Sequence, residues 1–323
     1  MGLRVLPLDP ATYQRHPLHA DDRVWLEKNC YFDIWIEMIH AVGCEPLAMC
    51  PVACALDFVG DQWTFYKPSH GDLWSLYGID CQELNCWRPL LELAVEHLGA
   101  GRLISTEADA WWLPDVSGTD YRRQHTKSTI VLTELDVDAR RHGYFHNAGY
   151  YQLEGEDFAE TFRLDIPHDP AFMPFYAETV ALDRLVKRDR ADLVSRSGKI
   201  LAQHLGRRPT DNPVVRFAAR FARDLPMLQD KGLAYYHAWA FATVRQLGSA
   251  AEVMARYLAW LAGSSGGQFA PAIAAYDALS TSAKAFILKA ARAVNAKKPF
   301  APSFDEWSAD YDRAITNLVE HAD

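Results

Sequence analysis

The sequence predicts an α+β domain over residues 1–160, followed by an α-helical domain over residues 161–323. Three observations support this division. Residues 27–43 carry the pattern of an amphipathic helix, residues 128–146 read as two antiparallel strands, and helical patterns with few β-branched runs dominate from about Glu156 onward. We therefore expect one early helix packed on an antiparallel sheet, with a helical domain after it.

Length and composition are those of a globular protein with about two cores. The chain has 323 residues, of which 49% are hydrophobic and 12% aromatic. It carries 33 basic and 42 acidic residues, a net charge of −9, and no long Lys/Arg run, so nucleic acid is not an expected partner. No stretch reaches 18 apolar residues and the first residues lack a leader pattern, so we expect a cytoplasmic protein without membrane contact.

The six cysteines all lie in the first third of the chain, at positions 30, 44, 50, 54, 81 and 86. In a cytoplasmic chain they are expected to be reduced. The pairs Cys50/Cys54 and Cys81/Cys86 lack the two-residue separation of common zinc sites, so no metal site is expected.

The predicted early helix carries the candidate nucleophile. Its apolar residues recur every three or four positions, Asn29 suits the N-cap, and Gly43 suits the stop. Cys30 then falls on the first turn. Unpaired backbone N–H groups and the positive end of the helix dipole favour a thiolate there.

The strand pair carries the candidate base. Residues 128–135, rich in β-branched side chains, give the clearest strand in the chain, residues 136–141 form a turn, and residues 142–146 return antiparallel. His125 and Asn147 lie just beyond the open end of this hairpin, where we expect them to face each other. His146 competes with His125 as a base, although its place beside Phe145 on the strand favours a packed residue.

A thiolate nucleophile needs a base, and the base needs a partner that fixes its ring. The order Cys30, His125, Asn147 supplies all three roles. Asn29 and Gln124 are further candidates, as side-chain amides that stabilise an oxyanion beside the Cys30 backbone N–H.

The second half reads as helices separated by Gly- and Pro-containing breaks, including breaks at Pro226 and Gly248. The predicted helices cover residues 177–205, 212–223, 232–247, 250–262, 270–295 and 304–321.

Residues 20–160 resemble a known enzyme family. The resemblance rests on residues 109–114 (Asp-Ala-Trp-Trp-Leu-Pro), Tyr121, His125, the strand at 130–132, and residues 145–147 (Phe-His-Asn). These residues resemble the family of the amino-terminal domain of butirosin biosynthesis protein H, a family of papain-like cysteine transacylases and peptidases. The same segments, and the helical remainder, resemble an uncharacterised bacterial family known only as a domain of unknown function.

The resemblance implies a papain-like domain with Cys30 as nucleophile, His125 as general base and acid, and Asn147 as the orienting residue. Relatives usually have Asp in this third role, so Asp136 is an alternative. The implied reaction moves an aminoacyl or peptidyl group from the phosphopantetheine thioester of a carrier protein to an amine acceptor, with no cofactor bound to the chain itself.

Two further residues have a binding role under this hypothesis. Trp111 would line the acyl or pantetheine channel, and Arg122 would meet the acidic carrier protein or its phosphate. The alternatives without a binding role are that Trp111 packs the sheet against a neighbouring element and that Arg122 is simply exposed to solvent. At the level of function, the alternatives are a papain-like cysteine peptidase or amidase and a non-catalytic binding module.

Overall fold

The computed structural model describes residues 2–27, 29–166, 175–263 and 267–321, and the chain divides into two compact units. Unit 1 consists of residues 1–19, 30–44 and 70–188, and unit 2 of residues 20–29, 45–69 and 189–323. Each unit therefore takes segments from the amino-terminal region and one long continuous segment.

The strands within the described residues form one large and one small antiparallel sheet. They are β1 (Leu3–Arg4), β2 (Phe58–Val59), β3 (Gln62–Trp63), β4 (Asp80–Leu84), β5 (Leu103–Asp109), β6 (Lys127–Asp136), β7 (Arg141–His146), β8 (Gly149–Glu154) and β9 (Ala177–Ala181). The large sheet lies in unit 1 with the order β4-β9-β5-β6-β7-β8, and β1 pairs with β6. The hairpin β2–β3 lies in unit 2.

The helices of the described residues divide four to unit 1 and six to unit 2. They are α1 (Cys30–Ala41), α2 (His70–Tyr77), α3 (Leu90–Gly99), α4 (Glu156–Thr161), α5 (Arg190–Leu205), α6 (Pro213–Lys231), α7 (Leu233–Ala242), α8 (Val244–Ala262), α9 (Ala270–Ala296) and α10 (Asp305–His321). Residues Pro46–Ala55 of unit 2 add a 3-10 segment. Within the described ranges, no helix is both long and apolar enough to cross a bilayer.

The predicted hairpin at the centre of unit 1 is confirmed. β6 and β7 pair antiparallel, with Val131 opposite Phe145 and Asp136 opposite Arg141. The buried, β-branched residues of β6 explain this, because such side chains pack well on a pleated surface between two neighbouring strands.

The two faces of the large sheet carry different layers. The helices α3 and α4 cover one face, where their apolar residues join even-numbered residues of β5, β6 and β7 in one buried cluster. Its members include Ala94, Leu98, Ile104, Ala108, Ile130, Leu132, Tyr144, Phe158 and Phe162. We call this the α3 face.

The helix α1 covers the other face, the α1 face, which carries the odd-numbered residues of β5, of β7 and of the first part of β6. A bulge after Leu132 places Leu135 on the α3 face. Tyr13 links the two layers, since its hydroxyl donates to Glu37 of α1 and its ring contacts Phe145. The predicted helix is confirmed here: its residues from Tyr31 to Ile39 are all buried, and Cys30 is its first residue.

Residues 177–181 form β9, and the predicted helix over 177–205 is wrong at its start. β9 lies between β4 and β5, and all five of its residues are buried. A strand buried on both faces lacks the polar alternation that marks a half-exposed strand, so its short sequence does not identify it. Because β9 completes the sheet, unit 1 continues to Arg188.

Unit 2 has helices around an aromatic core, so the predicted helical region is confirmed. Phe217 of α6 lies at the centre of this core, where its ring contacts Phe58, Trp63, Trp239, Phe286, Phe304 and Trp307. Two predicted breaks are wrong, since Pro226 lies inside α6 and Gly248 lies inside α8. Gly248 serves packing instead: a Cβ there would lie 2.3 Å from the ring of Trp25.

Candidate active site

Cys30 begins α1 and is partly buried. The sequence predicted a thiol on the first turn of this helix, and the structure confirms that position. The first N–H groups of a helix have no partner within the helix, so this turn favours a negative charge. The next residue, Tyr31, points into the sheet and connects the start of α1 to a group of polar side chains on the α1 face.

This group, which we call the Glu178 cluster, surrounds one buried carboxylate. Its six members are Tyr31, His70, Cys81, Ser105, Tyr176 and Glu178. The hydroxyl of Tyr31 donates to Glu178 at 3.0–3.1 Å, and Ser105 and Tyr176 donate at 3.0 Å each. Nε2 of His70 lies 3.1 Å from Oε1 of Glu178.

The cluster keeps Glu178 ionised although its side chain is only 2% exposed. Burial by itself raises the pKa of the carboxyl, but the hydrogen bonds from His70, Tyr176 and Tyr31 outweigh it, so the pKa lies below its ordinary value of 4.5. Conversely, burial and the Glu178 charge raise the pKa values of Tyr31 and Cys81. The cluster is thus a buried anion surrounded by proton donors.

His125 lies at the end of the sheet, two residues before β6 begins. Its side chain is 69% exposed, and its Nδ1 lies 2.6 Å from Oδ2 of Asp109, the last residue of β5. The ring also stacks on Trp111, with centroids 4.5 Å apart and an angle of 12°. The other carboxylate oxygen of Asp109 accepts the backbone N–H of Trp111, which fixes the carboxylate in turn.

The geometry is that of an imidazole oriented through one nitrogen, with the ring open to solvent. We call His125 and Asp109 the His125–Asp109 pair. Ser105 lies on the α1 face, and side chains alternate along β5, so Asp109 lies on that face too. Asp109 therefore extends from the face of the sheet that α1 covers, four residues, or about 13 Å, along β5 from Ser105.

Asp109, not Asn147, fixes the ring of His125. Asn147 lies in the turn between β7 and β8 with a φ of 45°, and the strand register places it level with Thr129. That level is four residues from His125, about 13 Å along the strand. Asp136 is excluded from the same role, because it ends β6 about 30 Å away from the strand's start.

The other predicted site residues have well-defined partners. Asn29 is buried and donates to the Tyr66 carbonyl within unit 2, and Gln124 donates to Asp120 at 2.6 Å. Arg122 contacts both Asp157 and Glu156, at 2.7 and 2.9 Å, and stacks over Trp112. Two carboxylates thus already neutralise the guanidinium that the sequence assigned to a carrier phosphate.

His146, the competing base, lies on the α3 face. Its Nδ1 lies 2.5 Å from Asp115 and its Nε2 lies 2.7 Å from Ser128, while Tyr144 donates to the same Asp115. Residues Ser128 and Tyr144 share the parity of the α3-face cluster, so this network lies across the sheet from α1. At 1% exposure, His146 is a packed residue, as its position on the strand indicated.

Sequence reasoning missed Asp109 as a partner of His125 and missed the Glu178 cluster entirely. A signal for Asp109 was present, since it begins the Asp-Ala-Trp-Trp segment that carries the resemblance. No comparable signal marked His70 or Glu178, and Glu178 lay in a predicted helix.

Family comparison assigns most of the chain to one family. Residues 14–182 match the DUF1839 N-terminal domain, and residues 190–320 match the DUF1839 C-terminal domain. The chain belongs to the DUF1839 family, which confirms the resemblance to an uncharacterised family. No curated protein matches the chain.

Proposed function

We propose that the chain is a cysteine-dependent acyltransferase with a papain-like arrangement of its catalytic groups, in which Cys30 is the nucleophile. One observation carries the proposal. Asp109, whose carboxylate orients the exposed imidazole of His125, lies on the face of the sheet covered by the helix that Cys30 begins. A thiol at a helix start and an oriented imidazole are the two groups that thiol acyl transfer requires.

In this mechanism, His125 accepts the proton of the Cys30 thiol, and the thiolate attacks the carbonyl carbon of an acyl thioester. The tetrahedral intermediate collapses, the C–S bond to the donor breaks, and the leaving thiolate takes the proton from His125. An amine then attacks the acyl-enzyme, His125 takes the amine proton, and the Cys30 thiolate leaves. The Cys30 backbone N–H is the proposed oxyanion donor at both steps.

The proposed donor is an aminoacyl or peptidyl thioester of carrier-protein phosphopantetheine, and the proposed acceptor is an amine. This donor comes from the resemblance of residues 20–160. The chain's own contribution is the nucleophile, the oriented base and the backbone donor, so the chemistry requires no bound organic cofactor.

Trapping the acyl-enzyme tests this proposal. We expect an aminoacyl-pantetheine thioester, incubated with the full-length protein, to add one acyl mass that peptide mapping places on Cys30. Cys44 and Cys86 are matched controls, because both are partly exposed and burial raises the pKa of each thiol. Acylation of the controls alone, or no acylation with an ordinary iodoacetamide rate at Cys30, would indicate a non-catalytic binding module.

The fate of the acyl group separates the transferase from its nearest rival. Release to an added amine, in preference to water, supports acyl transfer. Release to water alone, together with cleavage of peptide or amide substrates, supports a cysteine peptidase or amidase instead.

The His125–Asp109 pair gives a second prediction. We expect His125→Asn to lower the rate of Cys30 acylation by about 10²–10⁴-fold, the usual contribution of general acid–base catalysis. We expect Asp109→Asn to lower it in the same direction, because an amide no longer favours the required tautomer. His97→Gln, at another partly exposed histidine of unit 1, should leave the rate unchanged.

Asn147→Gly tests whether Asn147 or Asp109 orients His125, because it removes the Asn147 amide. Glycine adopts the positive φ of this turn readily, so the backbone should be unchanged. We expect little change in the acylation rate. A loss in Asn147→Gly that equals the loss in Asp109→Asn would assign the orienting role to Asn147 and contradict the prediction.

A further inference from the structure

We propose that His70, Cys81 and Glu178 bind a divalent metal ion of the zinc class. One ring nitrogen of His70, Sγ of Cys81 and one carboxylate oxygen of Glu178 all lie within 4.8 Å of one another. Tetrahedral zinc holds its ligands about 3.5 Å apart, so small rotamer changes bring the three atoms to bonding distance. An ion bound here would join α2, β4 and β9.

The donors select the class of metal. One nitrogen, one sulfur and one oxygen suit zinc and cobalt, whereas magnesium and calcium prefer oxygen ligands alone. Three protein ligands leave a fourth tetrahedral position for water or a substrate atom. His70 is 39% exposed, so the site has an opening to solvent on that side.

The surroundings also suit a cation. Cys81 and Glu178 are 1% and 2% exposed, and a buried thiol beside a buried carboxylate is an arrangement that a cation stabilises. Tyr31, Ser105 and Tyr176 already orient the carboxylate through hydroxyl groups, as outer residues do in metal sites. Metal binding would form the metal–sulfur bond and release the Cys81 proton to solvent, while neutral His70 contributes a nitrogen lone pair.

This site differs from the two cysteine pairs, Cys50/Cys54 and Cys81/Cys86, whose spacing was compared with that of zinc sites. Cys86, the sequence neighbour of Cys81, is not among the grouped donors of the described residues. Cys50 donates to the Pro46 carbonyl, and burial raises the pKa of Cys54 to about 12. The ligand set combines residues from three elements far apart in sequence, which no spacing motif reveals.

Cobalt titration of the full-length protein, stripped with a chelator, tests the proposal. We expect a thiolate-to-cobalt charge-transfer band that saturates at one equivalent of Co²⁺ and disappears when Zn²⁺ displaces the cobalt. We expect Cys81→Ser to abolish the band and His70→Asn to weaken Co²⁺ binding by about 10²-fold or more, since even outer residues contribute about 10–100-fold. Cys86→Ser should bind as the unmodified protein does.

Two results would overturn the proposal: no charge-transfer band in the unmodified protein, or a band that persists in Cys81→Ser. Circular dichroism checks that the variants fold, and His70→Asn, at a partly exposed position, supplies the result if Cys81→Ser does not fold. Cys30→Ala should bind Co²⁺ normally. Metal binding is thus measured independently of acyl transfer, so the two proposals fail separately.

Discussion

Replacing Cys30 by alanine is expected to lower the rate of acyl transfer by about 10⁴-fold or more. Loss of the nucleophile removes the covalent intermediate, and in enzymes with a nucleophile and base such losses are among the largest that one substitution causes. The substitution removes one partly buried sulfur from the first turn of a helix, so the fold should tolerate it. The measurement is transfer from an aminoacyl-pantetheine thioester to an amine under single-turnover conditions.

Cys44→Ala and Cys86→Ala provide the comparison for this experiment. Both remove a partly exposed thiol from unit 1, and neither thiol lies at the start of a helix. We expect both variants to retain activity within a factor of about two. Full activity in Cys30→Ala would show that another group performs the chemistry, and the proposed function would then be wrong.

The local features of the fold were predictable from the sequence. The apolar spacing of α1 and the β-branched run of β6 specify their own conformations, because each pattern matches one period and one buried face. The same reasoning predicts helices of unit 2 such as α9 and α10. Sequence patterns do not identify β9, because this strand is buried on both faces and pairs with β4, almost a hundred residues earlier in the chain.

Breaks are less predictable than helices, because packing overrides propensity. Gly248 has the weakest intrinsic preference for a helix after proline, yet α8 continues through it. The residue is there because the ring of Trp25 and the methyl group of Ala283 lie where a side chain would be. Such a role depends on Trp25, more than two hundred residues earlier in the chain, and on Ala283, thirty-five residues later. A local sequence window contains neither residue.

The candidate site shows the same limit. The sequence identifies Cys30 and His125 because each has a local context, a helix start and a strand entrance. It does not identify the partner of His125, because Asp109 ends β5 and Asn147 follows β7. Both strands pair with β6, and only the register distinguishes the two residues. Likewise, the ligands around Glu178 meet only when β9 pairs between β4 and β5.

Glu178→Ala is expected to destabilise unit 1 by about 2–6 kcal/mol. The substitution removes the carboxylate that accepts from two buried hydroxyl groups, those of Tyr31 and Ser105, at about 1–3 kcal/mol each. Tyr176 and His70 are partly exposed and turn to water instead. The measurement is urea-dependent hydrogen exchange of peptides from β4, β5 and β9, in the presence of a chelator so that no metal contributes.

Glu83→Ala is the matched control, because Glu83 lies directly opposite Glu178 on β4 but is exposed. We expect a change within about 0.5 kcal/mol there.

The pH dependence of the Glu178 contribution gives a second test. The pKa of Glu178 is lower in the folded chain than its ordinary value of 4.5, so its contribution is complete above that pH and declines as the pH falls through the folded pKa. The stability difference between the unmodified protein and Glu178→Ala should therefore shrink in acid, and a difference that grows in acid would show that the carboxyl is neutral in the folded chain.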